Sequence, residues 1–200
     1  MNPLDPGLSK ALSAFDMRQN FVLSYKYQLP VGHLIHGHQR LSQGWSLTGV
    51  TRFSTGFPVT LINNNDTSLL GTIPNGINNN GVDTPDVAHG NLEVNTNPRN
   101  GNPAFNRALF SLPALGQFGT AAPRFFYGPG INNFDVALLK DVHLTETKRV
   151  EFRVESFNVA NHAQFYGSSA VNGNISSPSF GQITSAEAPR LIQLAAKLYF

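Results

Sequence analysis

The sequence contains no cysteine among its 200 residues. This absence excludes disulfide bonds, thiol catalysis and zinc–thiolate sites. Charged residues are also scarce, at 13% of the chain, which is about half of their share in a typical soluble domain. The formal net charge is only +2, and Lys and Arg never form a run of three. We therefore expect no nucleic-acid partner, since such a surface needs clustered basic residues.

Long hydrophobic runs are missing as well. No stretch reaches the about 18 apolar residues that a transmembrane helix needs. Residues 1–20 lack a basic start followed by an apolar segment, so they are not expected to be a secretory signal. If the protein acts outside the cytoplasm, we expect its signal to lie on sequence that this chain does not include.

Turn-forming residues are abundant, with 18 Gly and 13 Pro, and aromatic residues make up 10% of the chain. The aromatic residues lie within patterned segments, which argues against disorder. Five segments alternate between apolar and polar residues with period two, the pattern of β-strands. The alternating segments are residues 20–29, 45–54, 133–140, 150–158 and 190–200.

The connections between these strands are short and long in turn. Residues 30–44 and 141–149 form short connections, whereas residues 63–130 and 160–188 form long ones rich in turn residues. An antiparallel meander places successive connections at opposite ends, so one end carries all the long loops. Short inner turns and long outer loops are typical of outer-membrane β-barrels. The sequence thus predicts an all-β fold, a partial antiparallel transmembrane barrel with about five strands and long extracellular loops, spanning residues 1–200.

The fourth strand has the sharpest alternation and predicts which side chains face lipid. The predicted lipid-facing residues are Val150, Phe152 and Val154, and the predicted lumen-facing residues are Glu151, Arg153 and Glu155. Glu151 and Glu155 could act as a general acid and a general base, but they lie on one face of a single strand. We expect them to line the lumen and to pair across strands, for example with Lys140 or Arg52. No catalytic residue and no enzymatic activity are predicted.

Two segments raise the question of metal binding. Residues His33, His36 and His38 could ligate zinc or nickel, but no carboxylate or Cys completes a set, so we interpret them as part of a turn. Residues 75–86 offer Asn and Asp oxygens suited to Ca²⁺, but lack the spacing of a known calcium loop and its bidentate Glu. We interpret them as a flexible outer loop and predict no cofactor and no metal.

A soluble β-sandwich also has alternating strands. The alternative hypothesis is therefore a secreted or surface soluble β-domain that binds glycan or protein through its Asn-rich loop. Sandwich loops tend to be similar and modest in length, which does not explain the long connection 63–130.

Residues 123–165, PRFFYGPGINNFDVALLKDVHLTETKRVEFRVESFNVANHAQF, resemble the C-terminal barrel region of TonB-dependent outer-membrane receptors. They are most similar to the Oar-like group, which carries a carboxypeptidase-regulatory-like domain at its N-terminus. Residues 177–200, SPSFGQITSAEAPRLIQLAAKLYF, match equally well, and residues 15–30 and 44–61 fit the preceding strands. The resemblance covers nearly the whole chain and is loosest at residues 63–100.

The resemblance implies a bacterial outer-membrane receptor that takes up or binds an extracellular substrate. Such receptors have about 22 strands around a plug, so this chain is expected to be a fragment, a truncated reading frame or a split gene whose remaining strands and plug are missing. A non-functional gene remnant is a further hypothesis. The implied partners are outer-membrane lipid, the rest of the barrel, the barrel-assembly machinery and, through the missing N-terminal part, the TonB complex. The implied assembly signal comprises Gln193, Leu194, Ala196, Leu198 and Phe200.

Overall fold

The computed structural model describes residues 6–7, 10–34, 39–69, 83–95 and 97–200. Within these residues, regular structure consists of seven strands, two short α-helices and two 3₁₀-helices at Pro98–Asn100 and Arg107–Leu109. The helices are α1 (Val31–Leu34) and α2 (Gln39–Ser42). The strands are β1 (Asn20–Gln28), β2 (Trp45–Ser54), β3 (Asp86–Val87), β4 (Phe110–Ser111), β5 (Ile131–His143), β6 (Arg149–Phe157) and β7 (Leu191–Tyr199).

Five of these strands form one sheet in the order β1-β2-β5-β6-β7. The pairs β1–β2, β5–β6 and β6–β7 are antiparallel. Strands β1 and β7 are the two edges, so the sheet is open rather than closed on itself. The predicted all-β fold and partial antiparallel barrel are confirmed.

Strand β5 is longer than its alternating sequence suggested. It runs from Ile131 to His143, because the alternation continues through Val142, which lies opposite Val150 of β6. The hairpin closes only beyond the strand, where the backbone N–H of Leu144 donates to the carbonyl of Lys148 at 2.9 Å.

Gly49 lies in the middle of β2, opposite Tyr25 of β1. A Cβ atom at position 49 would overlap the Tyr25 hydroxyl and would lie too close to the carbonyl oxygen of Asp135. The aromatic ring therefore occupies the space that a side chain would need. Glycine within a strand often marks a bend or a close approach of another group.

The chain divides into two compact units. The sheet unit comprises Asn20–Ser54, Asn132–Gln164 and Ala188–Phe200. The second unit comprises Met1–Gln19, Thr55–Ile131 and Phe165–Glu187. Most of the second unit therefore comes from the two long connections of the sequence analysis.

The second unit has its own hydrophobic core although its strands, β3 and β4, have only two residues each. Phe105 lies at the centre, with 2% of its surface exposed. Its ring centroid lies 5.3 Å from that of Phe110, 5.1 Å from that of Phe126 and 5.4 Å from that of Phe180. All three contacts are edge-to-face, the geometry that aromatic pairs favour.

Backbone hydrogen bonds between irregular segments hold this core together. Leu61 N–H donates to Pro123 at 2.8 Å, and Ala104 N–H donates to Gly181 at 2.8 Å. Buried backbone groups need partners, and here distant loop segments supply them in place of long strands.

Among the described residues, no helix is long and apolar enough to cross a membrane.

Candidate membrane-facing sheet

The strand register separates the sheet unit into two chemically different faces. Directly opposite residues in neighbouring strands share a face. We call the face that carries Phe152 the apolar face and the face that carries Arg153 the charged face. The rings of Phe53 on β2 and Phe134 on β5 meet at 5.6 Å, which joins the apolar residues of β1 and β2 to those of β5 to β7. The apolar face includes Phe21, Leu23, Tyr27, Leu47, Phe53, Phe134, Leu138, Val150, Phe152, Val154, Leu194 and Leu198.

On β6, the exposure of the apolar side chains and of the carboxylates is inverted relative to a soluble sheet. Phe152 is 49% exposed and Val154 is 45% exposed, whereas the side chains of Glu151 and Glu155 are only 14% and 20% exposed. A half-buried soluble sheet shelters its apolar residues and exposes its charged ones. Large contiguous apolar surfaces mark contact with membrane or protein. This sheet therefore has the chemistry of a surface that meets hydrocarbon.

The charged face pairs its charges within the sheet. Arg153 on β6 lies between two carboxylates, with Nε 3.6 Å from Glu151 and Nη2 3.0 Å from Glu155. Glu151 is opposite Asp141 on β5 and Lys197 on β7. Glu151 and Asp141 carry like charges opposite each other. The Arg149 guanidinium, which lies 3.5 Å from Asp141, offsets their repulsion.

The expected partnership of Lys140 with these carboxylates is wrong. Lys140 lies opposite Phe152, on the apolar face, because Leu139 and Asp141 are the β5 residues in phase with Arg153 and Glu151. Its ammonium group donates to the carbonyl of Gln43 and lies 5.5 Å from the Trp45 ring centroid. A lysine on an apolar surface behaves in this way, because its stem covers apolar atoms while its charge finds polar partners.

Arg52 lies on the charged face, opposite Val22. Its Nε donates to the side-chain oxygen of Asn20 at 3.0 Å.

Strand β7 continues both faces to the end of the sequence. Leu194, Ala196 and Leu198 lie opposite Val154, Phe152 and Val150, and Gln193 lies opposite Glu155 on the charged face. Leu194 is 76% exposed, and Phe200, which follows the strand, is 93% exposed. The alternation required of an assembly signal is therefore present, and its role in assembly stays a prediction.

A family model described as an outer membrane beta barrel domain matches residues 1–193. This chain belongs to that family. As an outer-membrane barrel domain, the chain is located in the bacterial outer membrane and associates with the lipid of that membrane. No curated protein and no solved structure matches the chain. The assignment of lipid-facing and lumen-facing residues on β6 stays a prediction, which the inverted exposure favours.

The metal hypotheses of the sequence fall largely outside the described residues. His36 and His38 lie outside them, and of His33 only the backbone, within α1, is described. Of residues 75–86, only 83–86 are described. Within the described ranges, no group of three His, Cys, Asp or Glu side chains is placed to hold a metal ion.

One polar cluster in the second unit has no counterpart in the sequence analysis. The Tyr127 hydroxyl donates to Asp16 at 2.6 Å, and the Arg18 guanidinium donates to the same hydroxyl at 3.0 Å. The Arg18 guanidinium also lies 4.6 Å from the ring centroid, within cation–π range. Tyr127 is 109 positions from Arg18 and 111 from Asp16 in the sequence, so no local pattern could have joined them.

The Tyr127 cluster makes stability depend on pH in the alkaline range. The hydrogen bond to Asp16 raises the pKa of Tyr127 above the usual value for tyrosine, because only the protonated phenol can donate. The stabilisation is fully present below the tyrosine pKa of the unfolded chain, about 10, and is lost as pH rises through the higher folded value. We expect the stability of Tyr127→Phe to fall less than that of wild type as the pH rises above about 10, in calorimetric unfolding of the full chain. Parallel pH profiles for the two proteins would contradict this.

Proposed function

We propose that this outer-membrane barrel domain is the C-terminal part of a TonB-dependent receptor of the Oar-like group. It would contribute five strands and a ligand-facing surface to uptake or binding of an extracellular substrate. The observation that carries the proposal is the open sheet whose apolar face remains exposed. Five strands cannot close around a lumen, so the sheet needs further strands at both edges.

The sequence resemblance over residues 123–165 and 177–200 supports the receptor assignment. In this proposal the missing barrel strands and plug adjoin the sheet, and the barrel-assembly machinery recognises Gln193 to Phe200. The TonB complex acts through the N-terminal part of the receptor. The two long connections join strands of the antiparallel sheet at the same end, as the long outer loops of outer-membrane barrels do.

We propose no enzymatic role for the chain. The strongest acid–base candidates, Glu151 and Glu155, both lie beside Arg153 on one strand face. This arrangement suits a charged lining better than a proton-transferring pair, whose environments should push the two pKa values apart.

The soluble alternative requires Phe152 and Val154 to be covered by a second sheet. Their exposure and the family membership favour the membrane barrel instead. An Asn-rich binding surface remains compatible with the proposed receptor, since the second unit contains those residues.

An immunoblot of fractionated cells tests the proposal directly. An antibody against residues 97–131 should detect an outer-membrane band several times heavier than the 21.7 kDa of this chain. Peptide mass spectrometry of that band should find a plug domain and a TonB-contacting segment. An outer-membrane band at the mass of the chain itself, without those peptides, would leave the barrel domain intact but overturn the receptor.

A further inference from the structure

Asp83 is a carboxylate with no exposed surface in the second unit. Its Oδ2 accepts hydrogen bonds from the backbone N–H of Ser68 at 3.0 Å and from the Thr67 hydroxyl at 3.4 Å. Its Oδ1 is buried and has no hydrogen-bond partner in the structure as described, and the same is true of Ser68 Oγ. Two adjoining residues therefore each contribute one buried oxygen without a partner.

This arrangement is costly unless something else binds there. A buried carboxylate is normally paired with a cation or coordinated to a metal ion. None of the ion pairs seen among the described residues involves Asp83. An unsatisfied buried oxygen in a native protein points to a bound water or ion, and the negative charge of Asp83 favours a cation.

We propose that Asp83 Oδ1 and Ser68 Oγ bind a Ca²⁺ ion. Both are hard oxygen ligands, the type that Ca²⁺ prefers, and Ca²⁺ tolerates irregular geometry with water completing the shell. Mg²⁺ also binds through one or two carboxylates and keeps several waters, but it demands near-octahedral geometry, which this irregular pair of oxygens does not impose. This site is independent of the proposed receptor function.

The surrounding hydrogen bonds hold the two oxygens in position. Asn63, which is 1% exposed, donates from its backbone N–H to the carbonyl of Asp83 at 2.9 Å. Its side-chain amide donates to the Thr67 hydroxyl at 2.9 Å. These hydrogen bonds hold both the backbone carbonyl and the Oδ2 atom of Asp83, and they leave Oδ1 available.

The site shares one residue with the calcium hypothesis that the sequence suggested. Asp83 is among the Asn and Asp oxygens of residues 75–86, whereas the second ligand is a serine 15 positions earlier. A bound ion would tie together two points of the chain that are distant in sequence. Because the protein supplies few ligands, the affinity belongs with the weak extracellular sites, with Kd about 10⁻⁴–10⁻³ M.

Calorimetric titration of the chelator-treated full chain with CaCl₂ tests the proposal. We expect one site in that affinity range, and about a 10–100-fold increase in the folding equilibrium constant at about 10 mM Ca²⁺. Asp83→Asn keeps an acceptor for Ser68 N–H but removes the charge, and should abolish both effects. Asp86→Asn is the matched control, since its Oδ1 accepts from Thr120 N–H at 3.0 Å, and it should bind Ca²⁺ like wild type.

A second variant keeps the test decisive if Asp83→Asn does not fold. Ser68→Ala removes only the hydroxyl ligand and should weaken Ca²⁺ binding about tenfold. Absence of a binding signal in the wild type, retention of full affinity by both variants, or an equal effect of Mg²⁺ would each overturn the proposal.

Discussion

Phe105→Ala is expected to destabilise the second unit by about 3–5 kcal/mol. The Phe105 ring contacts those of Phe110, Phe126 and Phe180, and it is 2% exposed. Truncation would leave a cavity bordered by three rings that cannot all move inward. Trypsin cleavage at Arg107 reports the loss, because the protease needs locally unfolded backbone, and Arg107 begins the 3₁₀-helix that leads into Phe110 of the core.

The experiment measures the urea concentration at which a short trypsin pulse cuts the folded full chain at Arg107. Leu115→Ala is the matched control, because Leu115 belongs to the same unit but is 75% exposed. Its stability should change by less than about 0.5 kcal/mol. If both variants shift the midpoint equally, the aromatic cluster is not the core of this unit.

Leu23→Arg is expected to cost about 2–4 kcal/mol when the sheet is folded in a lipid bilayer as part of the complete barrel. Leu23 lies near the middle of β1, on the apolar face opposite Thr51, and is 49% exposed. An arginine there would place a guanidinium in hydrocarbon. Urea unfolding of the complete barrel in phospholipid vesicles measures the effect, with Trp45 in β2 as the tryptophan probe that this chain supplies.

Ser24→Arg provides the comparison one position along the same strand. Ser24 is opposite Val50 on the charged face, where an added cation should meet water and carboxylates, so the expected cost is about 0–1 kcal/mol. A larger loss for Ser24→Arg than for Leu23→Arg would reverse the two faces. Equal losses would indicate that neither face contacts lipid.

The five long strands could be predicted because their signal is local. From Val150 to Glu155 on β6, each apolar residue is followed by a charged one, and period-two alternation alone defines a strand and its faces. The end of β5 was harder to predict, since Asp141 and His143 suggested a turn, whereas the pairing of Val142 with Val150 extends the strand.

The core of the second unit could not be predicted from periodicity. Phe105, Phe110, Phe126 and Phe180 are spaced irregularly, and hydrogen bonds between distant loops bring them together. Four phenylalanines in segments rich in Gly, Pro and Asn were the available signal for a core. Asp83 lies within residues 75–86, whose oxygens suggested Ca²⁺, but its proximity to Ser68 gave no signal, because burial without a partner is a property of tertiary structure.

The contact between Gly49 and Tyr25 also constrains how this sequence can change. A side chain at position 49 would collide with the Tyr25 ring and with the backbone of β5. Replacing Tyr25 by a small residue would relieve the first collision but not the second. Position 25 can therefore accept different side chains only while position 49 remains glycine. In diverged barrel domains, the loss of that glycine should be accompanied by a smaller residue at position 25 and by a local shift between β2 and β5.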